Sequence, residues 1–166
     1  IDYVIDKHDV IMVVGVNNGP NTPVPPLLAS AYNVIAVGNW SGNSSGGYTL
    51  VEGIGRCKPD IAGLGAKTSF STPAVTAVVA RLMQTADKMH AELQVQTNPT
   101  NATQPDPRSS EVIKAVLLTG ATKPAKWNAQ AGKPLDEHWG AGLLRFDSSY
   151  RILTAGPIAS GRIRWR

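Results

Sequence analysis

Thr68-Ser69-Phe70-Ser71-Thr72-Pro73 runs directly into the apolar run Ala74 to Ala80, and the reading of this junction decides the fold. A serine here sits where a loop turns into a long helix. Between Ala74 and Ala80 only Thr76 is polar, so the pattern predicts a helix that is apolar almost all round and belongs in the middle of a domain. It is expected to run to about His90, with Arg81, Gln84, Asp87 and Lys88 emerging into solvent. Pro73 fits near the helix start, where few N–H groups have partners to lose. Such a junction aims a hydroxyl out of the fold and points the first free N–H groups at any oxyanion formed beside it. A serine in this place is equally a plain helix cap.

Working outward, Val10 to Val16 is a short, nearly unbroken apolar run rich in β-branched residues, which predicts a strand buried on both faces of a parallel sheet. Residues 1–8 before it read as the end of a helix, and Asn17-Asn18-Gly19-Pro20 after it as a turn. A proline-rich loop leads to a second buried strand, Asn33 to Gly38. Asn39 to Gly55 reads as a Gly/Ser-rich loop, and Lys58-Pro59-Asp60-Ile61-Ala62 as a short third strand. Beyond the long helix, residues 92–108 are expected to form a surface loop insertion. Ser109 or Ser110 then caps a helix through Thr119, with Val112, Ala115, Val116 and Leu118 inward. Asp147 caps a last helix through Leu153, and residues 154–166 form a tail. Its Arg162, Arg164 and Arg166 suit the charged face of an edge strand.

The chain has 166 residues, 42% hydrophobic and 17% charged, which suits a single globular domain with a sizeable core. A net charge of +4 does not argue for nucleic acid, which draws a clustered basic face. No run reaches the length of a membrane span. The single cysteine, Cys57, excludes an internal disulfide and a multi-cysteine metal site, and no residue pattern calls for a cofactor. The opening Ile1-Asp2-Tyr3-Val4-Ile5-Asp6 reads as the middle of a helix, so the chain is expected to be a piece of a longer polypeptide.

Several segments in fixed order resemble the subtilisin-like serine proteases (subtilases). Val13-Val14-Gly15-Val16-Asn17-Asn18-Gly19 is similar to the strand and turn that carries that family's oxyanion asparagine. Asn33 to Gly38 matches the following strand, and Lys58-Pro59-Asp60-Ile61 the segment ahead of the nucleophile. Thr68 to Pro73 resembles the Gly-Thr-Ser-x-Ala-x-Pro nucleophile motif, and "GAGLLRFDSSY" the end of the domain. The resemblance implies an α/β, parallel-sheet, three-layer fold with a buried central helix after the nucleophile. Residues 1–153 would be the C-terminal part of such a catalytic domain, and their partner its missing N-terminal half. It implies a secreted or extracytoplasmic endopeptidase acting on proteins or peptides by acyl transfer. Ser69 would be the nucleophile and Asn17 the oxyanion donor, with Asn18 as an alternative register. The family's acid and histidine would lie upstream of Ile1.

The sequence departs from the family pattern in ways that keep a second reading open, a non-catalytic pseudoprotease module for binding or assembly. Lys67 replaces the glycine before Thr-Ser, and the connection from Asp60 to Ser69 is short. Val16 replaces a glycine that lines the specificity pocket, which would favour small side chains before the cleaved bond. None of the three histidines suits the role of base. His90 lies about 30 Å along the helix from Ser69 at ~1.5 Å per residue, His8 belongs to the far end of the first strand, and His138 sits in a loop. A third reading, an unrelated doubly wound domain with a ligand at its strand ends, lacks any glycine-rich phosphate fingerprint. Asn39, Asn43 and Asn101 lie in glycosylation sequons.

Overall fold

A computed structural model describes residues 1–49, 56–96, 105–128 and 134–156. After helix α1 (Asp2–His8) come strands β1 (Val13–Gly15), β2 (Ile35–Gly38), β3 (Gly47–Thr49), β4 (Arg56–Lys58) and β5 (Ile61–Ala62). Helices α2 (Thr68–Gln96), α3 (Ser110–Thr119) and α4 (Phe146–Ala155) follow. β1, β2 and β5 form a parallel sheet in that order, with Val14 beside Ala36 and Val37 beside Ile61.

The alternation of side chains along a strand builds a layer on each face of this sheet. Ile35, Val37 and Ile61 turn to one side and pack with Val75, Val79 and Leu82 of α2, Ile113 and Leu117 of α3, and Leu153 of α4. Val34 and Ala36 turn to the other, meeting Ile5 of α1, Val16 and Ala29. Burying a side chain of this size contributes roughly 1.5–3 kcal/mol. The result is helix, sheet and helix in three layers. Among the described residues no helix is long and apolar enough to cross a membrane.

Several expectations change. β2 is buried throughout as expected, but β1 is an edge strand, and Val13 and Val14 are half-buried, each packed on one face. The Gly/Ser-rich stretch carries β3, which pairs antiparallel with β4, Tyr48 opposite Cys57. The expected third strand is two, β4 and β5, separated at Pro59-Asp60 and lying in different sheets. Residues 140–144 lie along β5 by isolated bridges, antiparallel at Gly140 and parallel at Leu143: Ala141 N–H donates to Asp60 C=O, and Leu144 N–H to Ala62 C=O, both at 2.9 Å.

α2 starts at Thr68 and continues to Gln96, past the expected end near His90. It is buried on one face, along Val75, Val79, Leu82 and Ala86, and not all round; Thr76, Ala77 and Ala80 are exposed. Alanine is small enough for either environment, so its presence does not mark a buried face. Pro73 is the sixth residue of the helix, where it gives no N–H to the Ser69 carbonyl. In α3 the N-cap is Ser109, with Ile113, Val116 and Leu117 inward and Ala115 exposed. Arg145, not Asp147, is the N-cap of α4; Asp147 lies in the first turn and pairs with the Arg145 guanidinium at 3.0 Å. The tail arginines, Asn101 and residues 97–104 of the expected loop lie outside the described residues.

Candidate active site

All three parallel strands end on the same side, and the loops that leave them are laced together there. The Asn17 N–H donates to Ser45 Oγ at 2.9 Å, and the Ser45 N–H to Asn17 C=O at 2.8 Å. Gly63 N–H donates to Gly38 C=O at 3.0 Å, and Trp40 N–H to Gly65 C=O at 3.2 Å. Asn39 shapes the loop after β2: its carboxamide donates to Asn43 C=O at 2.9 Å and accepts from the Asn43 N–H at 3.0 Å. That buried side chain is thus committed to the loop, whereas Asn43 is exposed.

The start of α2 enters this edge at close quarters. A Cβ on Gly15 would lie 2.7 Å from Thr72 Oγ1 and 3.5 Å from Thr68 Cβ, so only a glycine lets the first helical turn seat on β1. The connection from β5 is drawn in by Ser71, whose fully buried hydroxyl bonds both backbone groups of Gly65.

The four N–H groups ahead of the first regular helical bond, Ser71 N–H to Lys67 C=O at 3.0 Å, are those of Lys67, Thr68, Ser69 and Phe70. Thr68 N–H donates to Asn18 Oδ1 at 2.9 Å, and Phe70 N–H shares the Lys67 carbonyl at 3.0 Å. Among the described residues nothing accepts from Lys67 or Ser69 N–H. The Ser69 side chain is exposed, as is that of Asn17 in the facing loop. The sequence reading left Asn17 and Asn18 as alternatives. Asn18 Oδ1 accepts from Thr68, and neither Asn18 Nδ2 nor the Asn17 carboxamide has a hydrogen-bond partner among the described residues, so both amides are available as donors.

His90 interacts with Asp106 near the far end of α2, Nδ1 to Oδ1 3.5 Å. His8 ends α1, ahead of β1. His138 is exposed, its ring edge-on to Trp139. No described hydrogen bond or ion pair joins a histidine to Ser69. Burial pushes the Cys57 thiol up to about 12, aided by the charges of Glu137 and Asp136, so it is not a competing nucleophile. Among the described residues no group of three or more His, Cys, Asp and Glu could hold a metal ion.

Val16 does not line this edge. It is 2% exposed and packs with Ala29, Val34 and Ala36 in the core, so the expected preference for small side chains loses the residue it was built on. The exposed apolar side chains nearby are Trp40, Leu64 and Phe70. Asp60 is buried and accepts from Ala36 N–H at 2.7 Å and Lys58 Nζ at 2.8 Å, with Lys114 Nζ 3.5 Å away. The residues that sequence reasoning missed are those that arrange the edge, Ser71 and Ser45. Ser45 was signalled only by a polar residue beside a glycine in a short loop, and Ser71 not at all, since a serine within a helical turn reads as a solvated position.

No family model matches the chain, and no curated protein sequence matches it. Solved structures do. The self-cleaved protease domain of PatA superposes with a TM-score of 0.54 at 18% identity, covering 94% of this chain and 54% of that one. The patellamide maturation protease PatA gives 0.51 at 19%, covering 93% and 55%. The prenylagaramide maturation protease PagA gives 0.53 at 21%, covering 91% and 53%. The chain therefore has the fold of subtilisin-like protease domains, and it spans about half the length of the structures it matches.

Proposed function

We propose that this chain carries the nucleophile half of a serine endopeptidase, with Ser69 as the nucleophile. The catalytic histidine and aspartate come from residues outside this chain, in the remaining half of the domain. Ser69 Oγ attacks the carbonyl carbon of a peptide bond while that histidine takes its proton. The electrons of the carbonyl move to its oxygen, which becomes an oxyanion. Ser69 N–H and the Asn17 carboxamide donate to it. The intermediate collapses to an ester on Ser69 and expels the amine, which takes the proton from the histidine. Water then hydrolyses the ester and restores the hydroxyl.

The single observation that carries this reading is the contact between the asparagine loop after β1 and the turn that ends in Ser69: Asn18 Oδ1 accepts from the Thr68 N–H at 2.9 Å, with Asn17 and Ser69 both exposed beside it. It brings the two segments that the resemblance pairs to one place, fifty residues apart in sequence.

The test is labelling of the full-length protein with a fluorophosphonate, located by peptide mass spectrometry. The expected result is modification of Ser69, its loss in Ser69→Ala, and a rate reduced about 10²–10³-fold in Asn17→Ala, the magnitude for one oxyanion donor. An intact, folded protein that is not labelled would establish the other reading, a pseudoprotease module used for binding or assembly. The short β5–α2 connection and Lys67 favour that reading.

A further inference from the structure

We propose that Asn18 is a positioning residue that holds the oxyanion donors in register with the nucleophile; the proposal rests on the serine protease reading above. Asn18 Oδ1 accepts from the Thr68 N–H at 2.9 Å and from the Thr68 hydroxyl at 3.3 Å. Asn18 follows Asn17, and Thr68 precedes Ser69. One carboxamide oxygen thus links, by the two adjacent residues, the loop that carries one donor to the turn that carries the other donor and the hydroxyl.

Gly15 packs against Thr68 and Thr72 by shape alone, and the other described hydrogen bonds of the 17–19 segment run to Ser45, Asn43 and Thr22, not to α2. On the helix side, Thr68 is 4% exposed, and its carbonyl is also engaged, accepting from Thr72 Oγ1 at 2.8 Å. The acceptor therefore reaches a donor that is itself fixed.

Three variants of the full-length protein test this. Asn18→Leu keeps the branching at Cγ and removes the acceptor. Its kcat falls about 10–100-fold with KM within about twofold, as expected when a reacting group is misplaced by ~1 Å. In two-dimensional ¹⁵N NMR its Asn17 side-chain amide and Ser69 backbone amide both shift. Asn18→Ala gives the same pattern and serves if the leucine does not fold. Asn18→Asp keeps the acceptor, so its Thr68 backbone amide keeps the parent's protection from hydrogen exchange, which Asn18→Leu and Asn18→Ala lose, although its charge near an oxyanion slows turnover on its own account. The proposal falls if Asn18→Leu and Asn18→Ala leave the resonances and kcat unchanged, or if Asn18→Asp loses the Thr68 protection as they do. The resonances read the link even in a protein that does not hydrolyse peptides. Failure of the protease reading, seen as unlabelled Ser69, is thereby distinguished from failure of the link.

Discussion

Ser71 grips Gly65 by both of its backbone groups. Its hydroxyl accepts from the Gly65 N–H at 3.1 Å and donates to the Gly65 C=O at 3.0 Å. The pairing draws the connection from β5 onto the first turn of α2 so tightly that a Cβ on Gly65 would lie 2.7 Å from Ser71 N and from Phe70 Cβ. A serine within the first turn is here not a cap for its own helix but a clamp for the loop ahead of it.

Ser71→Ala should therefore destabilise the fold by about 1–3 kcal/mol, the range for leaving buried polar groups without partners. Urea unfolding followed by circular dichroism measures it. A loss below ~0.3 kcal/mol would mean that water replaces both bonds and that the clamp contributes nothing.

Asp60 stands between two ammonium groups inside the protein, Lys58 Nζ at 2.8 Å and Lys114 Nζ at 3.5 Å, with the Lys58 side chain only 3% exposed. Asp60→Asn keeps an acceptor for the Ala36 N–H but strands the Lys58 charge. Breaking a buried pair in this way costs about 3–5 kcal/mol. Lys114→Met should cost less, because it removes a charge whose burial already lowers its pKa. Denaturation midpoints of the two variants decide it, and equal losses would count against the buried-charge account.

The Asp106 carboxyl is held down to about 2, chiefly by the Arg108 guanidinium at 2.7 Å and by the Arg108 N–H at 2.9 Å. A folded-state pKa below the unfolded one means that the unfolded chain binds more protons between about pH 4 and 2. The stabilisation is complete above that window and is lost as pH falls through about 2. The side chain is 39% exposed, so solvent screens the pair and its worth is about 1 kcal/mol or less. Thermal unfolding of the parent and Asp106→Asn from pH 6 to 2 should show a gap that closes on acidification. A gap independent of pH would assign the effect to packing.

The elements legible in the sequence were those whose signal is local. β2 is an unbroken apolar run, α3 opens on a serine cap, and the junction at Thr68 marks the start of α2. What was hidden depends on pairing across the chain. Gly47-Tyr48-Thr49 becomes a strand only because Arg56-Cys57-Lys58 lies opposite, and residues 140–144 bridge to β5 only because it leaves an edge to fill. The faces of α2 were misread because alanine carries little information about burial. Around Ser69, resemblance brought Asn17 and the serine to notice together. Which N–H groups of the first turn stay open could not be read, because Lys67 serves two of them through the conformation of a short loop. The role of Asn18 was hidden for the same reason: a turn asparagine and a link to a helix fifty residues away are the same letter.

Cys57 is the only sulfhydryl in the sequence, and it lies inside the fold, in β4. Burial and the nearby carboxylates keep that thiol protonated, so it is shielded from the oxidants and disulfides that reach an exposed thiolate.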